Sequence, residues 1–120
     1  MKESDLRKRT RKFALEIIRF VESLPKDETC RVLGRQLLRS GTSVGANYRA
    51  ACRAKSPADF IAKMGTVEEE SDESGFWLEL LIDSGKVPTS TAAGLLSEAG
   101  ELTAISVASI NTARRSGGKR

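Results

Sequence analysis

The chain has 120 residues, 39% of them hydrophobic and 30% charged, with a net charge of +4 and no histidine. One domain has this length, which suffices to bury a core unaided, and the composition is globular rather than disordered or collagen-like. The missing histidine excludes Ser-His-Asp and Cys-His catalysis and imidazole metal ligation, and no apolar run reaches the roughly 18 residues of a membrane span.

The first helix is predicted from about Ser4 to Leu24. Phe13, Ile17, Phe20 and Leu24 recur at helical spacing on one stripe, and Pro25 ends it. The second starts near Asp27, whose carboxylate suits an N-cap, and runs to about Lys55. Its expected seam is Leu33, Leu37, Ser40, Val44, Asn47 and Ala51. Gly41 and Gly45 disfavour a helix by propensity, yet the seam keeps phase across them. One long helix is therefore expected, with two shorter helices broken at Gly41 as the alternative.

The third helix opens on Ser56 as N-cap, Pro57 in the first turn and Asp59 completing a capping-box pattern. Phe60, Met64, Val67, Ser71, Ser74, Leu78 and Leu81 form its seam, and Gly85 is the expected stop. The fourth spans about Thr89 to Arg115. Leu95, Ala99, Leu102 and Ile105 make one stripe; Leu96, Thr103, Val107 and Ile110 make a second, a candidate subunit interface. The expected fold is all-α, an antiparallel up-down-up-down four-helix bundle forming one domain over residues 1–120, with a flexible basic tail from about residue 116.

Charge is unevenly placed along this frame. Residues 1–55 carry 14 Lys and Arg against 6 Asp and Glu, and residues 56–110 carry 2 against 10. The last ten residues add Arg114, Arg115, Lys119 and Arg120. Oppositely charged helices could attract along their flanks, or the basic half could face an anionic partner. Cys30 and Cys52 read as free thiols packed as small apolar groups. The N-terminal MKESDLRKRTRKF lacks the apolar stretch of a secretory signal, so a cytoplasmic location is expected.

From Gln36 to Val87 the motifs are specific. They are Gln36-Leu37-Leu38-Arg39-Ser40, Ser43-Val44-Gly45-Ala46-Asn47, Asp59-Phe60, and Glu70-Ser71-Asp72-Glu73-Ser74 leading into Trp77-Leu78-Glu79-Leu80-Leu81. With Phe13, Ala14, Ile17 and Leu24-Pro25, the chain over about residues 6–110 resembles the bacterial four-helix-bundle family found as reading frames in intervening sequences of 23S rRNA genes. That family is also called the S23 ribosomal protein family, a name recording gene location. Ala50 stands where the family pattern has a glutamate, so no carboxylate role carries over there. The resemblance implies a left-handed bundle assembling as a homo-oligomer, a ring of five. It also implies kinship in fold with the accessory variability protein of diversity-generating retroelements, which contacts a reverse transcriptase and nucleic acid through a basic surface.

Two constellations stand out. Arg7, Lys8, Arg9, Arg11 and Lys12 crowd the start of the first helix, and Arg114 and Arg115 close the fourth. In an up-down-up-down bundle these ends coincide, making a candidate nucleic-acid-binding surface for RNA or DNA phosphates. A solvated, solubilising end is the other reading. No aromatic interleaves the run and no helix-turn-helix, zinc or RNP pattern occurs, so neither stacking nor sequence-specific readout is expected. Arg39, Asn47, Glu70, Glu73 and Ser74 are expected to form a buried polar network that fixes register. The run Glu68 to Glu73 reads as a solvated or salt-bridging face, since carboxylate-bridged bundles need Glu-x-x-His. No catalytic residue, metal or cofactor is expected. The expected role is a non-catalytic oligomeric scaffold that binds nucleic acid non-specifically or partners a nucleic-acid enzyme; the alternative is a purely structural or protein-binding oligomer.

Overall fold

The structure is a computed structural model describing residues 3–118. Four helices follow one another: α1 Glu3–Glu22, α2 Glu28–Cys52, α3 Pro57–Asp83 and α4 Thr89–Gly118. They pack antiparallel, each against the next in the chain, into a rod of 54 × 21 × 20 Å. The α1–α4 contact that closes the bundle is much the thinnest.

The core stripe of α1 is Leu6, Thr10, Phe13, Ile17 and Phe20, continued just past the helix by Leu24, all buried. The helix stops at Glu22, two residues before the expected Leu24, because a residue preceding proline is pushed out of the helical region. The Ser23 amide then shares the Arg19 and Phe20 carbonyls, and the Ser23 hydroxyl donates to Phe20 O at 2.7 Å.

α2 is unbroken through Gly41 and Gly45, and Asp27 caps it by accepting the Cys30 amide at 2.8 Å. A Cβ at Gly41 would lie 2.8 Å from Ile17 Cγ1, and one at Gly45 would lie 3.4 Å from the Thr10 carbonyl oxygen. The glycines are there because α1 lies directly on them. This corrects the expected seam. Gly34, Gly41 and Tyr48 form a buried seven-residue row on the α1 side, with Leu37, Val44 and Ala51 as a second row. Leu33 and Asn47 fall beside these rows and are only half-buried. The helix ends at Cys52, short of the expected Lys55, with Arg53 as its C-cap.

Ser56 caps α3 by accepting the Asp59 amide at 3.1 Å, while Asp59 accepts the Lys55 amide at 3.0 Å. At the other end the Gly85 amide donates to Ile82 O and the Lys86 amide to Leu81 O, both at 3.0 Å. This paired C-cap requires the left-handed conformation, and Gly85 has φ +78°. Gly85→Ala is expected to lower stability by about 1 kcal/mol, read as a lowered denaturant midpoint with an unchanged slope.

α4 buries Ala92, Leu95, Ala99, Leu102, Ser106 and Ile110. Ile105, expected next on the first stripe, is half-buried because Ser106 takes that seat. The second stripe is no separate seam: Ile110 is in the core, Val107 is exposed, and Leu96 reaches towards α3 at Gly75. The helix continues through Gly118, past the expected end at Arg115 and through the start of the segment expected to be flexible; Lys119 and Arg120 lie outside the described residues.

Candidate nucleic-acid interface

The outward face of α1 is set by what its inward face must do. With Leu6 to Leu24 turned to the core, Lys8, Lys12, Leu15 and Arg19 fall on the opposite side at helical spacing, with Arg11 beside them. All five are exposed. Lys8, Arg11, Lys12 and Arg19 line a single shallow groove with Leu15 and Glu16, and none of the four forms an ion pair with a described residue. Arg19 is not part of the basic run in sequence. It joins the face because eleven residues are about three turns, a periodicity visible in the sequence.

Arg9 does not belong to this face. Its Nε donates to Glu98 at 2.6 Å, and its Nη2 donates to Glu98 at 2.8 Å and to Glu101 at 2.8 Å. The hydrogen bonds to Glu98 lead in raising its pKa, so its charge is committed to clamping α1 to α4. Arg7 is exposed on the flank. Arg114 and Arg115 are also exposed, at the same end of the rod as the start of α1. They are not part of one cluster with the α1 cations: Arg9 meets Glu101, and Arg114 lies thirteen residues further on, about 20 Å along the axis.

Past the start of α1, the overhang of α4 leaves an open groove lined by Leu6, Tyr48, Cys52, Phe60, Ile105 and Thr112 among others, with no charged side chain among the described residues of its lining. Among the described residues no group of three or more His, Cys, Asp or Glu side chains is placed to hold a metal. No helix among them is long and apolar enough to cross a membrane.

The expected buried polar network resolves into two parts. Ser74 Oγ donates to Ser40 Oγ at 3.1 Å in the fully buried layer between α2 and α3. Ser71 and Ser106 turn their hydroxyls back on their own helices, at 2.7 and 2.8 Å. Every buried side-chain nitrogen and oxygen among the described residues thus has a partner, which avoids the penalty of about 1–3 kcal/mol for each orphan.

Arg39, Glu70 and Glu73 lie outside that layer. The Arg39 guanidinium bonds Glu70 at 3.1 Å and also Glu73, and Trp77 Nε1 donates to Glu73 at 3.0 Å. Removal from water works against the Arg39 charge, and attraction to Glu70 and Glu73 outweighs it, so its pKa is raised. The Arg39 side chain is 47% exposed, which makes this a surface clasp. Asn47 takes no part; its Nδ2 donates to Ser43 O at 2.8 Å within its own helix.

The capping carboxylates give the fold an acid-sensitive element. The Cys30 amide leads in holding the Asp27 carboxyl below its usual range, helped by Lys86 at 3.3 Å. The Lys63 ammonium leads for Asp59, helped by the Lys55 amide. A carboxylate depressed in the folded state contributes stability above its unfolded pKa of about 3.9 and loses it as pH falls through the folded value. Stability is therefore expected to drop as pH falls below about 4, less steeply in Asp27→Asn and Asp59→Asn, measured by urea unfolding at stepped pH.

Comparison with known proteins follows the same lines. None of the curated proteins compared with the chain matches it. A crystal structure from Bacteroides thetaiotaomicron, described as a protein with unknown function from the S23 ribosomal protein family, is 32% identical and superposes with a TM-score of 0.85, over 92% of this chain and 99% of that one. The model of the 23S rRNA-intervening sequence proteins matches residues 2–108. The chain belongs to the 23S rRNA-intervening sequence protein family.

Proposed function

We propose that this chain is a non-catalytic, self-associating helical scaffold that holds the phosphate backbone of RNA or DNA on the outward face of α1, for its own assembly or for a partner enzyme acting on nucleic acid. The observation that carries this reading is the row Lys8, Arg11, Lys12 and Arg19, exposed and unengaged by any described acidic group. Four cations along one helix neutralise successive phosphates and release counterions, giving affinity without base readout. Leu15 is the one large apolar side chain among them and no aromatic accompanies it, so bases have nothing to stack on.

Fluorescence anisotropy with labelled single-stranded RNA and duplex DNA across a salt series tests the proposal. Four contacts predict a log–log slope of about −2.8 for single strands and about −3.6 for duplex. No binding at low salt would defeat it.

A further inference from the structure

At the end of the rod where α1 starts, the overhang of α4 leaves apolar surface uncovered. Ile105, Ala108, Ser109, Thr112, Ala113 and Ser116 recur at helical spacing along one wall of the open groove there. Leu6 is the only described α1 residue in its lining. The other wall is Tyr48 and Cys52 from the end of α2 and Phe60 from the start of α3. The groove measures about 820 Å³. Small-molecule sites enclose most of their ligand, and this one stays open along its length. Its shape suits the i, i+3, i+4, i+7 face of a helix laid between the two walls.

Charge is confined to the rim. Arg53 and Lys55 are exposed and alternate with the lining residues Cys52, Ala54 and Ser56. Arg115, exposed on the α4 side, donates to the hydroxyl of Thr112, itself in the lining, at 3.4 Å. None of these three cations forms an ion pair with a described residue. Of the acids nearby, Asp59 is held by Lys63 Nζ at 2.6 Å and by the Lys55 amide at 3.0 Å, while Asp5, next to Leu6, is exposed. An apolar floor between basic edges selects an amphipathic segment with acidic flanks.

We propose that this end groove receives an acidic amphipathic helix of a partner protein. Its apolar face rests on Leu6, Phe60 and Ile105, and its flanking Asp and Glu side chains meet Arg53, Lys55 and Arg115. The inference goes beyond the nucleic-acid reading and leaves that face open. The groove shares no described lining residue with the one formed by Lys8, Arg11, Lys12 and Arg19, so strand and partner bind together. A second copy brought end-on carries the same three cations and is repelled.

Cys52 gives a local readout, because it lies half-buried in the groove while Cys30 is buried at the other end of α2. The probe is a short helical peptide with Leu along one face and Glu on both flanks, beside a twin carrying Lys for Glu. At saturation the acidic peptide is expected to slow alkylation of Cys52 by iodoacetamide at least about ten-fold and leave Cys30 unchanged. By fluorescence anisotropy the Lys twin is expected to bind at least about twenty-fold more weakly. Combining Arg53→Glu, Lys55→Glu and Arg115→Glu is expected to reverse that preference, which a misfolded variant would not do. Labelled single-stranded RNA is expected to bind the peptide-saturated protein within about two-fold of its affinity for the free protein. No protection of Cys52, or equal affinity for the two peptides, would overturn the proposal. Stronger protection by sodium dodecanoate would assign the groove to a small amphiphile, and displacement of the peptide by RNA would assign it to nucleic acid; either overturns the partner helix. None of these results bears on the α1 face, which its own salt series judges.

Discussion

Replacing Lys8, Arg11, Lys12 and Arg19 together by glutamine is expected to lower affinity for single-stranded RNA several hundred-fold at about 0.1 M salt. Each phosphate contact contributes about 0.7 to the log–log salt slope, so losing four flattens it by about 2.8 and costs close to 4 kcal/mol. The fold should not notice, because all four side chains are exposed and none forms an ion pair with a described residue. Arg9 supplies the contrast. Its guanidinium is held by Glu98 and Glu101, so Arg9→Gln combined with Glu98→Gln preserves net charge and leaves the face intact. That pair is expected to keep affinity within about three-fold of wild type, while removing an α1–α4 clamp that thermal unfolding would register. Equal losses of affinity in the two variants would mean that general charge, and not this face, binds the RNA.

The second large effect lies where α1 rests on α2. Ile17 is wholly buried, and its side chain occupies the space a Cβ on Gly41 would need, at 2.8 Å from Cγ1 and 2.9 Å from Cγ2. Ile17→Ala is expected to cost about 3 kcal/mol through lost burial and the cavity left behind. Gly41→Ala gains about 1 kcal/mol of helix propensity and loses about 1–3 kcal/mol to overpacking, for a net destabilisation near 1 kcal/mol. In the double variant the methyl meets the space that Ile17 vacated. Its cost should therefore fall below the sum of the single costs by at least about 1 kcal/mol. Strict additivity in denaturant unfolding would mean that the helices do not approach this closely.

The capping signals and the apolar period made the four helices legible in advance, because each rests on local chemistry. Asp27, Ser56 and Gly85 act within one turn of the helix end they set. Where neighbouring helices decide, the sequence is a weaker guide. Asn47 and Tyr48 are adjacent, and a seam continued by three or by four residues chooses between them. The choice of Tyr48 follows from α1 lying on Gly34, Gly41 and Gly45, a close approach that appears in the sequence only as poor helix propensity.

The candidate site was legible as a basic run and not as a face. Five cations within two turns read as one cluster, but the core stripe of α1 divides them. Lys8, Arg11 and Lys12 go outward, while Arg9 turns to Glu98 and Glu101. Those glutamates lie about ninety residues away in sequence, so nothing local marks the pairing. The small hydroxyls at Ser40 and Ser74 likewise took the buried polar role expected of Arg39 and Asn47, because closely packed helices have room for a hydroxyl and not for a guanidinium.

The central claim is that the outward face of α1 takes the nucleic-acid backbone. Amide chemical-shift mapping during titration with a short single-stranded RNA at low salt tests it residue by residue. Perturbations concentrated between Lys8 and Arg19, fading as salt is raised, are the predicted result. Perturbations confined to the end of α4 around Arg114, or none anywhere, would contradict it.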